Sequence, residues 1–350
     1  MRLTAGGTGD RILAVDGGAS KTDVWLVATD GSLLSTARGA GSNHQFSGMD
    51  GAMEALGSTI EEALLAAGLD PGSRPAAGTG VYCLAGLDLP VDEERLSAAI
   101  ADRGWSADDV LRNDTMAVLR AGAQSGWGVA IVCGSGLNCV GLGPDGSIER
   151  FPSLAELSGD FAPGGSWLGV RALGLALRSR DGRGTPTVLA ELVPARFDLP
   201  DPEAVLSAVY TGDLDYGRLF ELAEVCLAAA GSGDPAAVEA AHLLADEVAI
   251  MVTATITRLG VEGDEVEVVL GGGIFDRDYA GFTDRVMGVV SATAPGARFR
   301  RLATPPVLGA ALLGLDRLGL DTQGAPSGPG MRLAASARER ATLDATAPSS

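Results

Sequence analysis

The sequence predicts an α/β protein built from two related halves. Three observations lead there. The chain has 350 residues, which at roughly 150 residues per domain corresponds to two domains. A strand, a glycine turn and a second strand occur at residues 12–28 and again at 128–142, a weak internal repeat. Stretches with helical apolar spacing alternate with short apolar runs through the rest of the chain.

The elements follow in order. Residues 1–10 read as a loose leader with no apolar signal segment. Ile12–Val15 is a strand, Asp16–Lys21 a turn and Val24–Ala28 a strand; Asp30-Gly31 turns the chain into a third strand from Leu33. Met49–Ala67 is helical and stops at Gly68. Gly80–Ala85 is a strand, Asp92–Arg103 a helix, Val110-Leu111 a short strand, and Thr115–Ala123 a helix. The pattern restarts with strands at Gly128–Cys133 and Asn138–Leu142 around Gly134-Ser135-Gly136. Helices are expected at Trp167–Arg178, Pro202–Tyr210, Tyr216–Ala230 and Pro235–Leu259. Val266–Leu270 is a buried-type strand leading through Gly271-Gly272-Gly273 to a helix near Asp276–Val290. Phe299–Leu302 is a last strand and Val307–Leu318 a helix rich in small residues. From Asp321 to Ser350 apolar periodicity is lost, and the composition predicts disorder.

Lys and Arg total 26 against 45 Asp and Glu, a formal charge of −19. So acidic a chain argues against nucleic acid or an anionic membrane as main partner. No uninterrupted apolar run reaches ~18 residues, so no membrane span is expected. Cys83, Cys133, Cys139 and Cys226 form no CxxC pair, which fits reduced thiols in the cytoplasm.

The chemistry concentrates in three glycine loops. In ILAVDGGASKTD, the backbone N–H groups of Gly17, Gly18, Ser20, Lys21 and Thr22 can turn toward phosphate oxygens. Asp16 can hold Mg²⁺ through its water shell. A plain Asp-Gly hairpin is the alternative. The second loop, VCGSGLNCVG, repeats the pattern at Gly134, Ser135, Gly136 and Asn138. Position 139 is Cys where a dinucleotide fingerprint has its third glycine, and the loop leads into a strand, so a Rossmann reading is poor. No GxxxxGK[ST] sequence occurs. In the third loop, VVLGGGIFDRD, backbone at Gly271, Gly272 and Gly273 can approach a base and ribose closely. A tight strand–helix turn is its alternative.

In order and spacing these segments resemble the actin/hexokinase/Hsp70 superfamily of ATP-binding folds. Within it the chain is most similar to the N-acetylglucosamine kinase group, which shares a domain type with the BadF/BadG/BcrA/BcrD ATPases. DGGASKTD resembles the first phosphate motif, NDTMAVLRAG the segment with the catalytic acid, and VCGSGLNCVG the second phosphate motif. LGGGIF resembles the adenosine motif and PPVLGAALLG the closing C-terminal helix. The resemblance spans residues 11–320. It implies two ribonuclease H-like (actin-like ATPase) domains with an interdomain cleft, at 11–124, joined by helix 306–319, and at 125–305. It further implies ATP and Mg²⁺ as cofactors and a homodimer.

Asp114 follows a strand and opens a helix, where an N-cap acid is favoured on local grounds. The resemblance instead makes it the base that a phosphoryl transfer to a hydroxyl requires. It also implies that Asn43, in GAGSNHQF, contacts the sugar; a polar turn residue is the alternative. His44 lines the same segment, and Gly86 and Asp88, in CLAGLD, fall on a substrate-side loop, although Asp88 also reads as a solvated turn acid. Asp160, in LSGDFAPGGSWLG, is a ligand for sugar hydroxyls or for Mg²⁺ through water. Related sugar kinases carry GDEGS there, whereas here Phe161 replaces the second acid.

The expected function is an ATP-dependent sugar kinase that phosphorylates N-acetylglucosamine or a related sugar at the 6-hydroxyl. The alternatives are an ATPase activator that holds an iron–sulfur cluster through cysteines, and a non-catalytic sugar sensor.

Overall fold

The computed structural model describes residues 7–275, 279, 281–320, 322 and 328–346. The chain divides into two compact units. One comprises the residues up to Trp127 and those from Leu302 on; the other is Gly128–Arg301.

The first unit begins, after a single turn at Thr8–Asp10, with β1 (Arg11–Gly17), β2 (Lys21–Ala28) and β3 (Leu33–Ala40). There follow α1 (His44–Ala66), β4 (Ala77–Leu84), α2 (Pro90–Arg103), β5 (Ser106–Asn113) and α3 (Asp114–Gly122). The sheet order is β3-β2-β1-β4-β5; β1 to β3 form an antiparallel meander, and β1, β4 and β5 run parallel. Alternation along β1 decides the layers. Leu13 and Val15 join Val24 and Leu26 under Leu56, Ile60 and Leu64 of α1 and Leu96 and Ile100 of α2. Ile12 and Ala14 point the other way, with Trp25, Val27, Val81 and Cys83. Both faces are covered, which is why β1 reads as a continuous apolar run.

The second unit comprises β6 (Gly128–Cys133), β7 (Leu137–Leu142), β8 (Ile148–Arg150), α4 (Gly165–Arg180), α5 (Leu189–Ala195) and α6 (Pro202–Thr211). It continues with α7 (Leu222–Gly231), α8 (Pro235–Leu259), β9 (Glu267–Gly271), α9 (Phe282–Thr293) and β10 (Arg298–Arg301). Its sheet order, β10-β9-β6-β7-β8, repeats that of the first: a meander of three, with two parallel strands on the other side of its first strand. The halves are thus related by topology as well as by turn. By length and composition α8 is apolar enough to cross a membrane. Leu244, Val248, Met251, Val252 and Ile256 of this helix are buried in the unit, the pattern of a core helix.

The chain then returns to the first unit with α10 (Val307–Arg317), which packs on β1, β4 and α3. The expected disordered tail is corrected at residues 329–346, which form α11 (Pro329–Thr346). Leu333 and Ala337 of α11 are buried on the Trp25–Val27 face, and Arg332 pairs with Asp30 at 3.0 Å. These two buried side chains, Leu333 and Ala337, lie four residues apart, a signal too sparse to stand out in a Ser/Ala/Arg-rich segment. The start of the helix expected near Asp276 falls partly outside the described residues, and α9 begins at Phe282.

Candidate active site

In the first unit the candidate residues gather at the carboxyl ends of the parallel strands, where open α/β sheets bind ligands. Asp16 is the penultimate residue of β1 and continues the Ile12–Ala14 side. Register places it in a row across the whole sheet: Arg38, Asp23, Asp16, Cys83 and Arg112 are successive partners on β3, β2, β1, β4 and β5. Asp23 takes the counter-charges, from Arg38 at 2.6 Å and Lys21 at 3.0 Å. Asp23 and Arg38 also line a cavity with Trp25, Thr36, Glu62 and Pro305. Burial raises the Asp16 carboxyl to about 8, and Asp114 and Asp23 push it the same way against Lys21 and Arg38.

The turn after β1 is held by Gly18, whose N–H donates to the Lys21 carbonyl and whose carbonyl accepts from Ser42 N–H. Thr22 is buried and donates its hydroxyl to the Ala40 carbonyl at 2.7 Å, with Ser42 Oγ 2.9 Å away. Its side chain therefore braces the turn, while Ser20 is exposed.

Asp114 is the first residue of α3, and Asn113 is the cap: Asn113 Oδ1 accepts from Thr115 N–H at 3.0 Å. The capping role weighed for Asp114 is thus filled by its neighbour. Burial raises the Asp114 carboxyl to about 6, and the charge of Asp88 adds to the shift.

Asn43, His44, Gly86 and Asp88 belong to one interlocked group. Asn43 caps α1, accepting from Gln45 N–H at 2.9 Å, and its Nδ2 makes no hydrogen bond among the described residues. His44 Nε2 lies 3.2 Å from Asp92 Oδ1, which makes it the donor to a carboxylate. Gly86 adopts φ +82°, and a Cβ there would come within 2.5 Å of Asn43 Oδ1, so glycine is required on both counts. Gln45, Asp92, Asp23 and Asn113 were not singled out in the sequence. Asp92 sits in the first turn of a helix opened by Pro90, where acids are favoured in any protein.

In the second unit Gly134-Ser135-Gly136 and Gly271-Gly272-Gly273 lie at the ends of the adjacent parallel strands β6 and β9. The first turn is tied to the start of α4, where Gly165 N–H and Ser166 N–H donate to the Gly134 and Ser135 carbonyls at 2.9 and 2.8 Å. Asn138 Oδ1 accepts from Cys139 N–H at 2.8 Å. Gly272 has φ +92°, and a Cβ there would lie 2.5 Å from the Cys133 carbonyl oxygen. By contrast, a Cβ on Gly134, Gly136 or Gly273 would meet nothing within 4 Å. These three positions leave bare backbone facing open space, the surface a polyphosphate or nucleoside can approach.

Asp160 is buried and accepts from Ser158 Oγ at 3.0 Å. Glu247 of α8 is buried on the side of Leu244, Val248 and Met251; burial and Asp160 raise its carboxyl, while the nearby Phe161 backbone N–H acts to lower it. In the sequence Glu247 shows itself only as an acid on the apolar side of a long helix.

Among the described residues no three His, Cys, Asp or Glu side chains cluster to hold a metal by themselves. Mg²⁺ needs less, one or two carboxylates and waters. Asp16 fits it: a buried carboxylate beside two others gains from a cation. Asp160, in the other unit, is a second carboxylate of this kind. All four cysteines are buried as free thiols.

Two five-stranded sheets of one topology, each with a glycine turn after its first strand, define an actin-like ATPase fold. The model of the BadF/BadG/BcrA/BcrD ATPase family matches residues 13–314, and the chain belongs to that family. It is 25% identical over 316 residues to an N-acetyl-D-glucosamine kinase of Dictyostelium discoideum, covering 87% of this chain and 97% of the relative. It is 25% identical over 267 residues to an N-acetylmuramic acid/N-acetylglucosamine kinase of Clostridium acetobutylicum, covering 76% and 85%. Among solved structures it is similar to a provisionally assigned N-acetylglucosamine kinase of Chromobacterium violaceum. That match has a TM-score of 0.68 and 25% identity over 87% of this chain and 99% of the other.

Proposed function

We propose that this protein, an ATP-dependent carbohydrate kinase, phosphorylates N-acetylglucosamine or a related amino sugar or hexose at its 6-hydroxyl. The observation that carries the reading is Asp114: a carboxylate at the start of α3, released from capping by Asn113 and raised to about 6. A general base works best with a pKa near the operating pH. Both kinase relatives act on N-acetylated amino sugars by name, which favours that acceptor class.

Each unit has its share of the work. In the first, Asp114 accepts the proton of the acceptor hydroxyl, and Asn43 Nδ2 and His44 orient the sugar. In the second, the backbone of Gly134–Gly136 with Asn138 takes the phosphates, Gly271–Gly273 takes the adenosine, and Asp160 accepts hydrogen bonds from sugar hydroxyls. Asp16 holds Mg²⁺, which when bound neutralises developing phosphate charge. Four buried cysteines offer no surface set for an iron–sulfur cluster, which weighs against the activator reading.

The test is ADP release from ATP and Mg²⁺ with N-acetylglucosamine, glucosamine, N-acetylmannosamine, N-acetylmuramic acid and glucose, and phosphorus NMR of the product. The expected result is sugar-dependent ADP release and a 6-phosphate. If no sugar raises ADP release above background, the kinase reading is wrong. A phosphate on another hydroxyl overturns the regiochemistry alone.

A further inference from the structure

Two consecutive residues at the start of α1 reach across to the segment that follows β4. Gln45 Nε2 donates to Asp88 Oδ2 at 3.0 Å and to the Gly86 carbonyl at 3.3 Å. His44 Nε2 donates to Asp92 Oδ1, and Asp92 Oδ2 accepts from Leu89 N–H at 2.8 Å and Asp88 N–H at 3.3 Å. From the opposite side Asn113 Nδ2 donates to the Leu87 carbonyl at 3.2 Å. Gly86 has no room for a side chain, because the Asn43 and Gln45 side chains pack on it. The 86–92 segment is therefore clasped between the residue that caps α1 and the residue that caps α3.

We propose that Gln45 is a positioning residue: with His44 it clasps the Gly86–Asp92 segment and sets Asp88 beside Asp114, so that acceptor binding depends on a side chain that need not touch the acceptor. The inference rests on the reading of Asp114 as the base. Three features carry it. Gln45 is exposed apart from its two bonds and contributes no core packing. One of those bonds goes to a buried carboxylate, and hydrogen bonds to charged groups are the strong ones. That carboxylate belongs to the residue whose charge reaches Asp114. A loop that carries a substrate-side acid and bends through a positive-φ glycine needs such an anchor, because misplacement by an ångström is costly in catalysis.

The experiment compares wild type with Gln45→Ala and with the reversed pair Gln45→Glu/Asp88→Asn, in which the donor and acceptor exchange sides. Amide hydrogen exchange at Asp88 and Leu89 reads the clasp without reference to activity. Gln45→Ala is expected to speed exchange there by about tenfold, with the melting temperature lowered by no more than about 3 °C. The reversed pair restores slow exchange. In turnover, Gln45→Ala raises the sugar KM by about tenfold and leaves the ATP KM within about twofold. Unchanged exchange in Gln45→Ala overturns the clasp, and faster exchange with an unchanged sugar KM overturns its role in acceptor binding. Absence of sugar-dependent turnover in wild type would instead remove the kinase reading, and the exchange data would still decide the clasp.

Discussion

Asp16 and Asp23 are direct partners across the β1–β2 ladder, yet the ion pairs with Lys21 and Arg38 go to Asp23. Asp16 is left as a buried acid beside an acid, and its carboxyl rises from 3.8 to about 8. A raised acid weakens the fold when it ionises. Below about pH 4 it is protonated in both folded and unfolded states and contributes nothing. Between there and about pH 8 the unfolded chain gives up its proton more readily, and stability falls by up to roughly 5 kcal/mol. Asp16→Asn is therefore expected to melt higher than wild type at pH 8 in EDTA, to match it near pH 4, and to lose turnover. An equal gain at both pH values would show that charge is not the cause. Adding Mg²⁺ to ATP should raise the melting temperature of wild type at pH 8 beyond the shift given by ATP in EDTA, and add nothing to that shift in Asp16→Asn.

Asp114→Asn should retain the fold, because the helix cap belongs to Asn113. Turnover should fall by roughly 10²–10⁴-fold, the usual contribution of a positioned base, with the sugar KM little changed. Thermal melts and ADP release on the same preparation check both halves. Near-normal turnover would remove Asp114 from its role. In wild type, turnover should rise with pH through about 6, following the raised carboxyl.

Much of this site was legible in the chain because turns and strand ends speak locally. Asp16-Gly17-Gly18, Gly134–Gly136 and Gly271–Gly273 announce themselves as glycines after apolar runs, and each lies at the end of a parallel strand. The repeated strand, glycine turn and strand were legible too, whereas the order of the strands in each sheet came only with the structure. What was not legible is contact across sequence. Gln45 and Asp88 are 43 residues apart; Asp88 reads by itself as a turn acid, and nothing local marks Gln45. The full length of β5 was hidden because its Ser106–Asn113 sequence carries two acids and an arginine, and pairing with β4 overrides that composition. In α1 a short helical turn capped by Asn43 precedes a break at the non-helical Gly48, and the helix proper runs from the expected Met49.

Gly272 and Gly273 separate backbone need from ligand space. Gly272→Ala forces a side chain to φ +92° and against the Cys133 carbonyl, and should destabilise the protein by about 1–3 kcal/mol. Gly273→Ala adds a methyl group to open space. It should leave the melting temperature unchanged and raise the ATP KM with no change in the sugar KM. Were Gly273→Ala kinetically silent, the adenosine assignment of this turn would fail.

Glu247 offers the corresponding test in the second unit. Its carboxyl is raised by burial and by Asp160, and the Phe161 backbone N–H acts against that shift. Like Asp16, it is neutral in both states below its ordinary value of 4.5 and opposes folding progressively as pH rises through its folded value. Glu247→Gln keeps an oxygen for Phe161 and removes the charge. Glu247→Ala removes both, together with the polar group that faces that N–H. Glu247→Gln should therefore melt higher than wild type at pH 8 and equally near pH 4, whereas Glu247→Ala should melt lower at both, by about 1–3 kcal/mol of lost stability. If Gln and Ala behave alike, the polar group facing the Phe161 N–H does not hold the Asp160 segment, and Glu247 matters only as a buried charge.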